Sequence, residues 1–381
     1  MSMAERCELA RLQPGMILDQ GIFDDDNNEL VEAGTVLTES LIRLLKERFP
    51  EGHLAVAIHI PGQKAALAAA VEEAFPAGQP PDPREDVLID PAYQKLYDTV
   101  LGDIRQLFKD QRDRSGMDFH AIARFIAEGH INELCDGARA VAQLHNMKRD
   151  GEYLLHHSVH VAVLAGLMGR WLRWPKVRRE RLMLSGLFHG LGKLYIPTDI
   201  LDKRGKLTDQ EWQVIRQYPE KGYEILCENG LKGETEIVDG IRHHHERGDG
   251  SGYPHKLGMD KISVFGRILA ILDVYDAMTA NRAYARKGSP FTAFDTLLAD
   301  MMGGKLDAEY GVLFVKKVCQ ALIGSWVRLS NGKKAKIIYI DQSRTSALPI
   351  VETEDGNFWD IATKQGIDVT NLMTYDELLA T

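Results

Sequence analysis

Three consecutive histidines, His243 to His245, open a segment that continues Glu246-Arg247-Gly248-Asp249-Gly250-Ser251-Gly252-Tyr253-Pro254. Imidazoles bind metals or carry protons near neutral pH, so a cluster of them can hold a reactive centre. Glycines at 248, 250 and 252 let the backbone turn tightly or close against a ligand. The tract lies deep inside a helical region, unlike a terminal tag. A second polar centre, Phe188-His189-Gly190-Leu191-Gly192-Lys193, ends an apolar run. His189 and Lys193 stand four apart and share a face if the helix persists through them. A histidine there can bind metal while the lysine holds a phosphate as a compact point charge.

His157, His189, His244, His245 and Asp273 sit on four helical segments, each in or beside an apolar run. Asp273, between Leu272 and Val274, needs a compensating partner, because an unpaired buried charge is costly. A metal cation supplies one. A salt bridge to Arg or Lys, or a buried His–Asp hydrogen-bond network, is the competing reading of the same residues. His156, His160 and His243 read as framework or rim, Asp276 as a salt-bridge former, and Glu246 and Asp249 as braces for Arg247 and the turn. Tyr253 offers a face for a base or for plain packing.

The elements that must position these groups follow from the patterning. Residues 1–75 read as a small α+β module: short apolar segments, a polar turn at 24–28, a helix capped by Thr38 with Leu41, Leu44 and Leu45 at helical spacing, and a strand near 54–60. Five prolines within 76–92 mark a linker. A helical lead-in occupies 93–149, with stripes through Leu96, Val100, Leu101, Ile104 and Leu107 and through Ile122, Phe125 and Ile126. Residues 150–325 alternate helices and short loops, with a helix from Glu211 to about Glu228 capped by Thr208 and an apolar one from Ser263 to Ala280. Residues 326–381 are β-rich, opening on a hairpin whose Asn331-Gly332 supplies a two-residue turn, with a further strand at 348–351. The fold class is mainly α: a helical bundle with an α+β N-terminal module and a β-rich tail.

Composition excludes several classes. The net charge of −9 argues against a general nucleic-acid coat and against DNA as a partner. Four isolated cysteines give no disulfide framework and no zinc-thiolate site, which fits a reducing, cytoplasmic setting. The stretch 159–172 is too short to cross a bilayer, so membrane insertion is not expected.

The run HHERGDGSGYP at 244–254, His189 and Lys193 upstream, and Asp273-Val-Tyr-Asp276-Ala-Met-Thr with Arg282-Ala-Tyr284 downstream resemble the HD-GYP family, a subgroup of the HD superfamily of metal-dependent phosphohydrolases. The resemblance covers about 150–325, including HHSVHVAVLAG at 156–166 and IPTDILDKRGKLTDQE at 196–211. It implies a helical bundle of the HD/HD-GYP type and a bacterial signalling role in hydrolysis of cyclic di-GMP or a related cyclic dinucleotide, with two or three iron or manganese ions. It further implies His157, His189, His244, His245 and Asp273 as metal ligands, and Lys193 as the catalytic lysine near the scissile phosphate. Arg247, Gly252, Tyr253, Pro254 and Arg282 become the substrate-facing set.

Two positions depart from the pattern. Gly190 stands where the resemblance expects the metal-bridging aspartate, and Tyr218 where it expects a histidine ligand. A phenol with a reference pKa of about 10 is a poor substitute for imidazole at pH 7. Tyr153 occupies the place of a further glutamate ligand. What remains is a two-histidine, one-carboxylate set, His157, His189 and Asp273, suited to one ferrous ion, and a thin second set at His244 and His245. The expected cofactor is therefore Fe or Mn, mononuclear or absent. The preferred reading is a cyclic di-GMP signalling protein that binds with weak or lost phosphodiesterase activity. An active metal-dependent phosphodiesterase, with Lys193 and Arg247 neutralising the phosphate, is the first alternative, and a scaffold without nucleotide the second. A signalling-protein partner and a homodimer are compatible with each.

Overall fold

The structure is a computed structural model. It describes residues 5–8, 17–18, 22–23, 29–31, 55–59, 91–112, 130–135, 140–146, 152–201, 203, 205–280, 288–341, 347–373 and 377–378. The chain divides into two compact units, Met1–Pro81 and Asp82–Thr381. In the first unit the described backbone forms strands β1 (Glu5–Glu8), β2 (Ile17–Leu18), β3 (Ile22–Phe23), β4 (Glu29–Val31) and β5 (Ala55–His59). Antiparallel pairing gives the order β1-β5-β2, with β3 and β4 as a separate hairpin. The expected strand near 54–60 is β5; the helix expected after Thr38 lies outside the described residues.

The second unit is mainly α. It opens with α1 (Pro91–Arg112), α2 (His130–Leu134) and α3 (Ala140–Asn146). Val100, Leu101 and Ile104 of the first expected stripe are buried in α1; the second stripe, at 122–126, lies outside the described residues. The centre is α4 (Tyr153–Trp171), buried along nearly its whole length. Its Val159, Val161, Ala162, Val163 and Ala165 are fully inaccessible, and full burial of a valine contributes about 1.5–3 kcal/mol. Packed on it or on one another are α5 (Lys176–Phe188), α9 (Thr235–His243) and α10 (Val264–Thr279). Between α5 and α9 run the short α6 (Thr198–Leu201), α7 (Asp209–Ile215) and α8 (Tyr218–Leu226).

Thr208 caps α7 through a reciprocal capping box with Glu211. The single helix expected from 211 to 228 is instead two, broken at Arg216 and Gln217, because Pro219 starts a new first turn. Ser263 caps α10 by accepting from the Gly266 amide at 3.1 Å. After α10 come α11 (Pro290–Met302) and α12 (Ala308–Leu322), with phenylalanines 291, 294 and 314 buried among them.

The tail is a five-stranded antiparallel sheet in the order β10-β6-β7-β8-β9. It comprises β6 (Trp326–Leu329), β7 (Lys334–Ile340), β8 (Pro349–Thr353), β9 (Phe358–Asp360) and β10 (Val369–Leu372). The expected hairpin is β6–β7, but its loop has three residues. The Leu329 amide donates to the Lys333 carbonyl, the Gly332 amide donates to the Leu329 carbonyl, and Gly332 takes φ +85°. A type I turn closed by a left-handed glycine is the standard three-residue solution. Strands β9 and β10 are too short and mixed in polarity to announce themselves in the sequence.

Candidate metal centre

Four helical segments deliver the histidines and Asp273 to one buried spot. The inner face of α4 carries His157, His189 follows the last residue of α5, and Asp273 and Asp276 lie one turn apart on α10. His157 Nε2 lies 2.9 Å from Asp273 Oδ1 and 3.0 Å from His189 Nε2. The far nitrogens are fixed from behind: His157 Nδ1 donates to Asp276 at 2.7 Å, and His189 Nδ1 donates to the Gly186 carbonyl at 2.7 Å. Each imidazole thus turns Nε2 inward, as histidines that ligate metals do when an outer acceptor holds the other nitrogen. Asp276, read from the sequence as a salt-bridge former, pairs with His157 and, at 3.1 Å, with His160 of α4.

The charges fit this geometry. Burial opposes a proton on His157, but hydrogen bonds to Asp273 and Asp276 outweigh it and raise its pKa above the ordinary value. Burial, then the His157 charge, lowers His189 to about 3. Burial alone would raise Asp273; the bond from His157 and the nearby imidazoles hold its carboxyl well below the usual range. The Nε2 lone pair of His189 and a carboxylate therefore converge on the proton held by His157. The ligand atoms of His157, His189 and Asp273 lie within 4.8 Å of one another, and those of His244, His245 and Asp273 form a second such group. Two imidazoles and a carboxylate suit a ferrous or manganous ion.

His189 and Lys193 do not share a helical face. Helix α5 stops at Phe188, and Leu191–Tyr195 form a tighter 3-10 turn. The turn lets Gly192 press against the Tyr218 carbonyl at the start of α8, where any β-carbon would collide. This contact seats Tyr218 in the centre. Its hydroxyl lies 2.7 Å from His244 Nε2 and 2.5 Å from His245 Nε2, and Lys193 Nζ sits 4.7 Å above its ring. Burial, with Asp273 nearby, pushes the phenol well above its ordinary pKa, and burial, reinforced by a neighbouring histidine, holds both imidazoles well below theirs. All three groups are neutral at pH 7.

Gly190 has ordinary right-handed dihedrals, φ −89° and ψ −1°. A β-carbon there would lie 2.8 Å from Leu154 Cδ1 and 3.8 Å from Ser158 Oγ. A leucine methyl therefore fills the space that a longer side chain at 190 would enter. Tyr153 stacks on His157, with ring centroids 5.3 Å apart.

The glycine-rich loop is tied down by Glu246, 1% exposed, whose carboxylate accepts from the amides of His255 at 2.6 Å and Leu257 at 2.9 Å. The Glu246 carboxylate thus braces the turn, and its main-chain carbonyl, with that of His244, accepts from Arg247 Nη1. Asp249 accepts from Ser251. Gly252 is obligatory, since a β-carbon would sit 2.5 Å from Glu246 Cα. Tyr253 stacks on His245 at 4.7 Å. Beyond it opens a cleft of about 280 Å³ lined by Gln213, Arg216, Gln217, Ser251, Gly252, Tyr253, Pro254 and Lys256. Arg216, Lys256 and the two glutamines were not singled out by the sequence; they lie in an ordinary amphipathic helix and a loop, with no motif to mark them. Arg282 lies outside the described residues.

Residues 139–310 match the HD domain family. The chain thus carries an HD-domain-like segment and is homologous to several cyclic di-GMP phosphodiesterases. Cyclic di-GMP phosphodiesterase PA4108 of Pseudomonas aeruginosa is 35% identical over 199 residues, 52% of this chain and 47% of the relative. The cyclic di-GMP phosphodiesterase response regulator RpfG of Xanthomonas campestris is 34% identical over 187 residues, 48% of this chain and 46% of the relative. A 3′3′-cGAMP-specific phosphodiesterase 2 of Vibrio cholerae is 38% identical over 138 residues, 36% of this chain and 25% of the relative. The chain therefore spans half or less of the length of these relatives. Among the described residues no helix is long and apolar enough to cross a membrane.

Proposed function

We propose that this HD domain serves cyclic dinucleotide signalling by binding cyclic di-GMP at its metal centre, with phosphodiester hydrolysis weak or lost. The observation that carries this reading is the unequal fate of the donors. His157, His189 and Asp273 are assembled and oriented, whereas Gly190 presents no ligand and Leu154 fills the space beside it. His157, His189 and Asp273 would hold Fe²⁺ or Mn²⁺, and the bound ion supplies Lewis acidity toward a phosphodiester oxygen. Asp276 and the Gly186 carbonyl keep the imidazole nitrogens aimed inward. In the adjoining cleft Arg216 and Lys256 attract phosphate charge, the glutamine amides offer hydrogen bonds, and Tyr253 gives a purine a face to stack on.

The alternative, an active phosphodiesterase, draws support from the assembled first donor set and from Lys193 beside it. One titration separates them: cyclic di-GMP is added to Mn²⁺-loaded protein and the nucleotide is recovered and analysed. Saturable binding with intact nucleotide supports the receptor, sustained turnover supports the enzyme, and no binding defeats both.

A further inference from the structure

Two donor groups could each hold an ion, yet they differ in what fills them. At the first, His157 Nε2 lies directly against Asp273 Oδ1 and His189 Nε2, with no other side chain's hydrogen bond between them among the described residues. At the second, a hydroxyl of the chain itself lies between the ligand nitrogens, 2.7 Å from His244 Nε2 and 2.5 Å from His245 Nε2. The hydrogens can be placed. His244 Nδ1 donates to the Ile241 carbonyl at 2.5 Å, so its Nε2 is a bare acceptor and takes the Tyr218 proton. The Tyr218 oxygen then accepts from His245, which must carry its hydrogen on Nε2. For a cation to bind there, His245 would have to move that proton and both imidazoles would lose a hydrogen-bond partner. The tyrosine cannot simply swing out, because the residue is 2% exposed and its backbone is clamped against Gly192.

We propose that the Tyr218 hydroxyl is a built-in stopper of the pocket formed by His244, His245 and Asp273, so that the chain takes up one divalent cation, on His157, His189 and Asp273. The inference rests on the metal-binding part of the function proposed above and not on its nucleotide part. The geometry that supports it is the seat of the phenol: one hydroxyl lies within hydrogen-bond distance of both imidazoles.

The test counts Mn²⁺ on the full chain by equilibrium dialysis with elemental analysis, without nucleotide, and records the electron paramagnetic resonance spectrum of the same samples. Wild type is expected to hold one Mn²⁺ per chain with an uncoupled six-line spectrum. Tyr218→Phe, which removes only the hydroxyl, and Tyr218→His, which adds an imidazole, are each expected to hold two, with the spectrum broadened by coupling between neighbouring ions. Cooperative melting of each variant checks its fold. A second ion in neither variant overturns the proposal. So does a second ion in Tyr218→His alone, which would make the tyrosine a missing ligand and not a stopper. A visible charge-transfer band in iron-loaded, air-oxidised wild type that disappears in Tyr218→Phe would make the phenolate a ligand and also overturn it. A wild-type count of two sinks the stopper alone; a count of none sinks the metal part of the functional reading with it.

Discussion

Replacing Gly190 by aspartate restores the carboxylate that the HD-type pattern expects, and the structure says what this will cost. The dihedrals of φ −89° and ψ −1° accept any L residue, so the backbone is not the obstacle. The obstacle is Leu154 Cδ1, 2.8 Å from the new β-carbon. Leu154 is only half-buried and its methyl can rotate away, for about 0.5–1.5 kcal/mol of rotamer strain. A buried carboxylate without a cation adds several kcal/mol. Loss of glycine from the unfolded chain returns about 0.4–1 kcal/mol. The metal-free variant should therefore be destabilised by about 2–4 kcal/mol, a fall in Tm of about 4–16 °C at this size. Mn²⁺ should offset part of this loss. Even a tenfold gain in affinity from the added oxygen is about 1.4 kcal/mol, so the Mn²⁺-induced rise in Tm should exceed that of wild type by about 3–6 °C. Adding Leu154→Ala should remove the steric part while leaving the metal response. Differential scanning calorimetry with and without saturating Mn²⁺ measures all three proteins. A Mn²⁺ response in Gly190→Asp no larger than in wild type would refute the placement of the site.

Other predictions follow from the same geometry. Arg216→Ala and Lys256→Ala should each weaken cyclic di-GMP binding about 10-fold, with a shallower salt dependence, in isotherms at two ionic strengths. Glu246→Gln removes the charge that two loop amides bind, and should cost about 2–4 kcal/mol in denaturant unfolding and loosen the 246–257 loop in hydrogen exchange. His157 has a folded pKa above its ordinary value, so in metal-free protein its contribution to stability is present below the unfolded pKa of about 6.5 and fades as pH rises through the folded value. Mn²⁺ competes with that proton. Its affinity should therefore climb with pH and level off above the folded pKa, and Asp276→Asn should shift the climb to lower pH; a flat profile in isotherms from pH 5.5 to 8.5 contradicts this.

Much of the candidate cluster was legible because its side chains are chemically expensive where they stand. A histidine or aspartate inside an apolar helical run, as at 157, 189 and 273, demands a partner, and the sequence shows that demand without the geometry. The helices were visible for the same reason: α4 and α10 are long apolar runs with few alternatives. What escaped were consequences of tertiary approach. Nothing local says that Leu154 fills the void at Gly190, that Gly192 lets Tyr218 reach between two histidines, or that Asp276 reaches across to α4. The helix break at Arg216 was written in Pro219, yet the residues before it carry no signal that they face a cleft. Strands β9 and β10 are held by pairing with β8 and β6 and not by any strong pattern of their own.

The central claim is tested most directly by titrating cyclic di-GMP into Mn²⁺-loaded full-length chain in a calorimeter and separating the nucleotides in the same cell afterwards. The account predicts saturable binding of roughly micromolar Kd, about −8 kcal/mol, with the cyclic nucleotide recovered intact or opened far more slowly than an ordinary enzyme turns over. Multiple turnovers at about 1 s⁻¹ or faster, or no heat of binding at millimolar nucleotide, would contradict it.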